Sequence, residues 1–412
     1  MPKDLTYILL LFALFIVPRA LQRFRLPSAI TSFLLGAAAS ATGVLTQDAT
    51  LSLLATFGIV AMFLTAGLEV NGTELKEGAK IITQHVAVRL LLTLGAGALI
   101  AYSLSFSYRV GTLIALALFT PSTGFILDSL DALGLNPRER FWIKSKAIAT
   151  ELLALGVLFV ALQSTSLERI GAATGALLAL VVVLPFLFRL FAERIAPYAP
   201  KSESAFLLML AVVSAYITRA LGVYYLVGAF MVGIAAQTFR TRLPSMSSER
   251  TLHAVEAFAS VFAPFYFFNA GLHLHADDFT ATAIRLGIGA VVVCIPLRIA
   301  LVVVHRRVSL WESLKSGLPI AIALAPTLVF SLVIAEILRD RFAVPDYIFG
   351  AIIVYTVLNT TLPGLLLGRS LPELDVLDEL GTPSKSHRLC RGGTFGRGNT
   401  TTGDRGVTSL WS

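Results

Sequence analysis

The chain has 412 residues, of which 56% are hydrophobic and only 14% are charged, and its mean hydropathy is +0.79. This composition is typical of a polytopic membrane protein and excludes an ordinary soluble domain. The formal net charge of +8 does not indicate a nucleic-acid partner, because the basic residues lie mainly in loops between apolar segments and in the C-terminal tail.

Apolar segments long enough to cross a bilayer follow one another along most of the chain. At about 18–20 apolar residues per crossing, the sequence predicts an all-α membrane domain over residues 1–370 with about 13 transmembrane helices. We number them helices 1 to 13. Their approximate spans are 5–22, 27–46, 51–70, 79–103, 109–131, 141–163, 168–192, 203–220, 222–239, 251–273, 280–304, 312–338 and 346–368.

The two ends of the chain differ in character. Helix 1 has a signal-peptide alternative, but its basic region is Lys3 alone and residues 17–23 lack a small-x-small cleavage site, so we expect a retained helix. Residues 371–412 are rich in Gly, Ser, Thr and Arg without apolar periodicity. This composition predicts a disordered cytoplasmic tail, either merely solvated, which we favour, or able to bind anionic lipid or RNA.

Two predicted helices carry a proline in mid-span. Helix 5 contains T-P-S-T-G around Pro121, and helix 12 contains A-P-T around Pro326. Proline removes an amide donor and clashes with the preceding turn, so it interrupts a helix. In hydrocarbon such a break is tolerated only inside protein or beside a watered cavity. Two matching breaks in the two halves of a polytopic chain indicate the ion or substrate site of a secondary transporter.

Three features of the first half recur in the same order in the second half. They are F-L-L-G-A-A-A (33–39) and F-M-V-G-I-A-A (230–236), F-L-T-A-G-L (63–68) and F-F-N-A-G-L (267–272), and Pro121 and Pro326. The offsets of 197, 204 and 205 residues are nearly constant, which indicates an internal duplication. Each offset spans seven predicted helices, an odd number, so the two copies run through the membrane in opposite directions.

The sequence therefore predicts an inverted-topology repeat with two crossed, proline-broken helices. Repeat 1 covers about residues 5–163, a connector helix covers 168–192, and repeat 2 covers about 203–368. This is the organisation of many secondary transporters, whose sites lie at the repeat interface near the bilayer midplane.

Basic residues lie mostly in the loops after odd-numbered helices. They are Arg19, Arg23, Arg25, Lys76, Lys80, Arg138, Arg140, Arg189, Arg194, Lys201, Arg240, Arg242, Arg250, Arg306, Arg307 and Lys315. By the positive-inside rule this side is cytoplasmic. We expect a multi-pass protein of the cell membrane, the bacterial inner membrane, with the N-terminus outside and the C-terminus in the cytoplasm.

Glu151 is the first candidate for binding an ion and a proton. It lies ten residues into helix 6 from Phe141, which places it about 15 Å deep, near the midplane. Pro121 reaches the same depth from the opposite side. A carboxylate there is costly to keep bare, so it holds a proton or a cation; the alternative is a structural glutamate paired with a basic residue.

Other polar residues complete the candidate site. Arg298, in helix 11, is expected to neutralise a carboxylate or the negative end of a half-helix, or alternatively to snorkel to the interface. Asp128, two turns past the first break, lines an entry funnel or ends a solvated helix. Arg89 is also at mid-depth without an assigned partner, and Lys146 is expected at the interface. The hydroxyl groups beside Glu151 and the two breaks belong to Thr150, Thr120, Ser122, Thr123 and Thr327.

The sequence contains no pattern typical of an enzyme or a metalloprotein. Its two cysteines, Cys294 and Cys390, are isolated, and no GxSxG, HExxH, Walker A or GxGxxG pattern stands in a plausible context. We therefore expect no enzymatic activity, no cofactor and no metal beyond a transported monovalent cation.

Several motifs, in order, resemble those of the second monovalent cation/proton antiporter family, which has the sodium/proton exchanger fold. The similarity covers about residues 5–368. The motifs are R-L-P-S-A-I-T-S-F-L-L-G (25–36), F-L-T-A-G-L-E-V (63–70), F-T-P-S-T-G-F-I-L-D-S-L-D-A-L-G-L (119–135), F-A-P-F-Y-F-F-N-A-G-L (262–272) and the stretch from Arg298 to Pro326.

The resemblance implies roles for particular residues. Where the family has an acidic pair that carries cation and proton, this chain has Thr150 and Glu151, and where it has a lysine in helix 11, this chain has Arg298. The late proline motif is reduced to P-T-L-V (326–329). A single carboxylate favours one-for-one exchange over two-proton exchange. The resemblance also implies a homodimer in which helices 4–6 and 11–13 move against a dimerising scaffold of helices 1–3 and 8–10.

These observations lead to one main hypothesis and two alternatives. The main hypothesis is a secondary antiporter that exchanges Na⁺ or K⁺ for H⁺ at Glu151. One alternative is an anion or organic-solute carrier that uses Arg298 as its counter-charge. The other is a non-transporting sensor or structural relative of the exchanger fold.

Overall fold

The computed structural model describes residues 3–24, 26–130, 137–164, 166–221, 225–238, 248–311 and 313–366. The predicted tail, 371–412, lies outside the described residues. Within them, the regular structure is helical and contains no β-strand. The α-helices are α1 (Lys3–Gln22), α2 (Ser28–Thr42), α3 (Ala49–Leu68), α4 (Gly72–Glu77), α5 (Ala79–Leu104), α6 (Tyr108–Phe119), α7 (Thr123–Leu130), α8 (Pro137–Gln163), α9 (Leu167–Leu190), α10 (Glu203–Ala220), α11 (Tyr225–Thr238), α12 (Glu249–Leu272), α13 (Ala281–Leu310), α14 (Leu314–Ala323), α15 (Leu328–Phe342) and α16 (Asp346–Leu366).

The described helices are those of a polytopic membrane protein. Nine helical spans are long and apolar enough to cross a bilayer, and a tenth results if the bent pair α14 and α15 counts as one. Three further apolar helices are shorter; they lie within α1, α2 and α11. The prediction of an all-α membrane protein is confirmed, and the number of 13 crossings stays a prediction.

Both prolines at mid-span lie between two helices. α6 ends at Phe119 and α7 begins at Thr123, with Pro121 between them. Thr120, directly before the proline, has an extended backbone (φ −82°, ψ 120°), as expected because proline disfavours the helical conformation of the residue before it. α14 and α15 are likewise separated around Pro326, and their axes differ by 41°.

The helices form two packed groups. In one, α2 and α3 pack against α11 and α12, and α10 packs against α11. In the other, α5, α6 and α8 pack together, and α13 packs against α14 and α16. α15 joins α6 to α16 inside this second group. All ten residues from Val110 to Phe119 of α6 are buried, as expected for a helix that is apolar around its whole circumference.

Four glycines allow two helix pairs of the first group to approach closely. Gly36 of α2 packs on Gly271 of α12, and Gly67 of α3 packs on Gly233 of α11. A Cβ atom on any of the four would overlap a backbone carbonyl oxygen of the facing helix. Small residues with this role are typical of helix contacts in membranes, where close packing replaces the hydrophobic effect.

We expect Gly36→Ala to destabilise the protein by about 2–3 kcal/mol, because backbone atoms cannot move aside as a flexible side chain can. The measurement is the melting temperature in detergent, followed by size-exclusion chromatography of heated samples. Gly95→Ala in α5 is the matched control: an added Cβ there meets no described atom within 4 Å. The control should be neutral or slightly stabilising, since alanine favours helix more than glycine. Equal melting temperatures for the two variants would contradict the packing argument.

Candidate functional site

The two proline-containing segments meet directly in the second helix group. The backbone N–H of Ser122 donates to the carbonyl oxygen of Pro326 at 2.9 Å. The Ser331 hydroxyl of α15 donates to the carbonyl oxygen of Ala117 in α6 at 2.6 Å. We call this place the crossing. The carboxyl ends of α6 and α14 and the amino ends of α7 and α15 lie there.

Two arginines lie at the carboxyl ends of α6 and α14. Arg298 donates to the carbonyl oxygens of Leu118 (3.3 Å) and Leu324 (3.0 Å). Arg89 donates to the carbonyl oxygen of Phe119 at 3.5 Å. Tyr355 reinforces the contact between Arg298 and Leu118, because its hydroxyl accepts from Arg298 at 3.1 Å and donates to the carbonyl oxygen of Leu118 at 2.7 Å. The last carbonyls of a helix lack intrahelical donors and carry partial negative charge, so these cations compensate both.

These contacts decide between the alternatives for Arg298. Its side chain is only 2% exposed, which argues against the alternative that it snorkels to the interface. Among the described residues it forms no salt bridge with Glu151; its partners are carbonyls and a phenol. Arg89, to which the sequence assigns no partner, shares the α6 end with it, and the two guanidinium groups are close enough to repel each other.

Glu151 lies on the other side of the crossing. It is buried within α8, with 4% exposure, and its carboxyl group faces the backbone amide and hydroxyl of Thr123, the first residue of α7. The amino end of a helix attracts negative charge. One carboxylate oxygen, Oε2, and the Thr123 hydroxyl have no hydrogen-bond partner within normal distance among the described residues. A buried oxygen with unused capacity can hold a proton or accept a cation.

The amino end of α15 has a matching polar neighbour. Thr327 is the N-cap residue of α15 and is fully buried. Asn359 of α16 donates through Nδ2 to the Thr327 hydroxyl oxygen at 3.1 Å and to the carbonyl oxygen of Ala325 at 2.7 Å. Thr120 and Ser122 are also buried, so the predicted hydroxyls of both segments surround the crossing.

Thr150 has a different environment from Glu151. Its hydroxyl donates to the carbonyl oxygen of Lys146 at 2.7 Å and contacts Nε2 of His85 at 3.3 Å. Lys146 is fully buried, and its Nζ lies 3.2 Å from Nδ1 of His305. Lys146, which was expected at the membrane interface, is thus enclosed by neighbouring helices. A second polar cluster, made of these four side chains, joins α5, α8 and α13.

Two further predictions concern residues around the site. The side chain of Asp128, the expected funnel residue, lies outside the described residues. Within the part of the chain that the structure describes, no group of three or more His, Cys, Asp or Glu side chains could hold a metal ion.

Sequence reasoning missed several residues of the site. Tyr355 and Asn359 are four residues apart on α16 and so lie on one helix face, and His85 and Arg89 have the same spacing on α5. Polar residues repeated at this spacing in otherwise apolar helices are the sequence pattern that could have indicated these site residues.

Comparison with known proteins identifies the family. Residues 8–371 match the family described as sodium/hydrogen exchanger, transmembrane. The chain is 22% identical over 370 residues to a protein described as probable Na(+)/H(+) antiporter 3 of Methanocaldococcus jannaschii, which covers 88% of this chain and 95% of that protein.

Solved structures show the same fold. The sodium proton antiporter MjNhaP1 of Methanocaldococcus jannaschii at pH 8 superposes with a TM-score of 0.66 at 16% identity, covering 90% of this chain and all of that one. An electron-microscopy structure of MjNhaP1 gives a TM-score of 0.57, also at 16% identity, and the match covers 89% of this chain and 96% of that one. The resemblance inferred from the motifs is confirmed, since the family match extends over most of the chain. The chain belongs to the sodium/hydrogen exchanger family of membrane transport proteins.

Proposed function

We propose that this protein is a secondary antiporter that exchanges a monovalent cation, Na⁺ or K⁺, for H⁺ at the single carboxylate of Glu151. Membership of the sodium/hydrogen exchanger family supports cation/proton antiport. The observation that carries the site is the buried Glu151 carboxyl group beside the amino end of α7, with an oxygen that has no hydrogen-bond partner among the described residues.

Exchange follows from competition for this carboxyl group. A bare carboxylate in a dry site is unstable, so the site moves between the two sides of the membrane with either a proton or a cation bound. Oxygens of Thr120, Ser122, Thr123 and Thr327 complete the site around the breaks. We leave Thr150 out of the proposed ligand set because its hydroxyl contacts His85. Arg298 neutralises the carboxyl ends of the half-helices.

Mirrored contacts support the proposed inverted repeat. The offset of 197 converts Gly36 into Gly233, and the offset of 204 converts Gly67 into Gly271. The contact between Gly36 and Gly271 thus has its image in the contact between Gly233 and Gly67. Two structurally equivalent halves are expected to pack in this reciprocal way, so the contacts support the repeat.

The carbonyl groups that the two arginines contact, those of Phe119 and Leu324, are also equivalent, at an offset of 205 residues. Arg89 binds the carbonyl of the residue two before Pro121, and Arg298 binds that of the residue two before Pro326. We therefore propose that α6 with α7, and α14 with α15, are two proline-broken helices that cross, in a membrane domain of 13 helices with an inverted-topology repeat.

The two helix groups suggest how the site moves. We propose that the group containing the crossing moves against the group built on α3 and α12, and that the latter group forms a homodimer. We also propose that the N-terminus lies outside and the C-terminus in the cytoplasm of a bacterial inner membrane, an orientation that the basic loop residues support.

Transport in everted membrane vesicles tests this function. The protein is produced in a bacterial host that lacks its own sodium/proton antiporters, and a pH gradient is imposed. Addition of Na⁺, K⁺ or Li⁺ is expected to collapse the gradient, while vesicles from cells with an empty vector retain it. If all three cations leave the gradient intact, the antiporter proposal is wrong.

The same assay separates the alternatives. Two buried arginines at the crossing are the observation that favours an anion carrier. Collapse induced by anions, and lost in Arg298→Leu, would support that carrier. No response to either ion class would support a non-transporting relative.

A further inference from the structure

Asn359 of α16 is a buried polar residue whose hydrogen bonds determine its orientation. Its side chain is fully buried (0% exposed). Nδ2 donates to the carbonyl oxygen of Ala325 and to the hydroxyl oxygen of Thr327. A carbonyl can only accept, so the nitrogen and not the oxygen of the amide must face Ala325.

The amide oxygen of Asn359 is left without a partner. Oδ1 is buried and accepts no hydrogen bond from the described residues. Buried polar atoms in native proteins are almost always satisfied, so an exception calls for a ligand, a water or an ion. Since the two Nδ2 bonds hold the amide in place, Oδ1 cannot turn to find another donor without breaking them.

Asn359 and Glu151 lie on the helices that end the two halves, and each is near the residues that follow a mid-span proline. Glu151 lies on α8, the last helix of the first half, and faces Thr123, two residues after Pro121. Asn359 lies on α16, the last helix of the second half, and contacts Thr327, one residue after Pro326. The hydrogen bond from Ser122 to Pro326 holds the two segments in one crossing. One half therefore contributes a carboxylate and the other a neutral amide oxygen.

We propose that Asn359 Oδ1 is an uncharged ligand of the transported cation and a determinant of which cation is selected. The inference rests on the proposed function. Hard cations bind carboxylate and carbonyl-type oxygens. The amino end of α15 carries partial positive charge and repels a cation. An oxygen atom at this end is needed to offset the repulsion, while Glu151 supplies the negative charge. A neutral oxygen at a fixed position affects selectivity through the size of the cavity.

Asn359→Leu tests the proposal because leucine has a similar size and no oxygen. The measurement is the apparent KM for Li⁺, Na⁺ and K⁺ in everted vesicles. We expect the KM for the preferred cation to rise about tenfold, equivalent to one lost ligand, and the ratios between the three cations to change. The matched control is Thr361→Val on the same helix, which loses only hydrogen bonds to its own helix backbone; its ratios should equal those of the wild type.

Asn359→Asp gives a second, opposite test. It keeps an oxygen and adds a second carboxylate, so the apparent KM should fall and its dependence on pH should become steeper than in the wild type. Unchanged cation ratios in Asn359→Leu, with a lower maximal rate for every cation, would overturn the proposal. Loss of both variants from the membrane would overturn it as well, because that is the outcome for a purely structural amide. Failure of the wild type to respond to any cation would instead refute the antiporter function.

Discussion

Glu151→Gln is expected to reduce cation-induced collapse of the pH gradient to the level of vesicles without the protein. Glutamine keeps the size of the side chain but has no carboxyl group, so it can neither take up a proton nor supply negative charge to a cation. Among the proposed ligands, Glu151 is the only acidic one; the others are hydroxyl groups and the amide oxygen of Asn359. The loss should therefore be complete and should affect Na⁺, K⁺ and Li⁺ alike.

Two further variants control this experiment. Glu256→Gln removes another partly buried carboxylate, which pairs with His253 at 3.2 Å on α12, and should leave exchange intact. Glu151→Asp retains a carboxyl group one methylene shorter and should exchange with a higher apparent KM. If vesicles with Glu151→Gln showed the same cation-induced collapse of the pH gradient as the wild type, the proton and the cation would bind elsewhere.

The pH dependence of exchange reports the number of carboxyl groups that compete. As pH falls, protons occupy Glu151 and exclude the cation, so the apparent KM for the cation should rise. With one competing carboxyl group, the apparent KM rises by at most about tenfold for each unit by which the pH falls. A slope near a hundredfold per unit would indicate two protons and contradict one-for-one exchange. The measurement is the apparent KM between pH 6 and pH 9 at a constant imposed gradient.

Arg298→Leu is expected to abolish transport and to destabilise the protein by about 3 kcal/mol. The guanidinium group makes hydrogen bonds to Leu118, Leu324 and Tyr355, and each bond to a charged donor contributes about 1.5–3 kcal/mol. Leu118 keeps its bond from the Tyr355 hydroxyl, whereas the Leu324 carbonyl loses the one side-chain donor that it has among the described residues. Relief of repulsion with Arg89 offsets part of the loss.

Arg307→Leu, on the same helix but exposed, is the matched control for this variant. It should change the stability by less than about 0.5 kcal/mol. Arg298→Lys should recover part of the stability, because an ammonium group retains the charge but lacks the planar fork that reaches several acceptors at once. The melting temperature in detergent measures all three. If Arg298→Leu has the same melting temperature as the wild type, the arginine does not stabilise the carboxyl ends of α6 and α14.

Local chemistry explains why the sequence could predict the breaks and the carboxylate. Pro121 and Pro326 end helices through steric effects on the turn that precedes them, and this requires no tertiary contact. The length and polarity of the apolar segments predict the membrane class, and counting along helix 6 brings Glu151 to the depth of the first break. The family motifs, confirmed by the match over residues 8–371, are likewise patterns in the sequence.

The partners of the buried polar groups required the tertiary structure. Arg298 contacts Leu118, which is 180 residues away, and Tyr355 contacts the same carbonyl across 237 residues. Hydropathy determines that a helix crosses the membrane but not how it is rotated about its axis or shifted by one turn. Those two quantities decide whether a side chain faces lipid, a neighbouring helix or the crossing. Lys146 illustrates this, because its position near the start of helix 6 suggested an interface whereas the helix packing buries it.

The sequence by itself therefore determined the membrane class and the family, and it predicted the two proline breaks and the Glu151 site, since these depend on composition and on interactions within a helical turn. Only the tertiary structure decided that Ser122 and Pro326 meet, that two arginines lie at the carboxyl ends of α6 and α14, and that Asn359 donates to Ala325 and Thr327 beside Pro326. Each of these facts depends on how separate helices pack against each other, which no local pattern specifies.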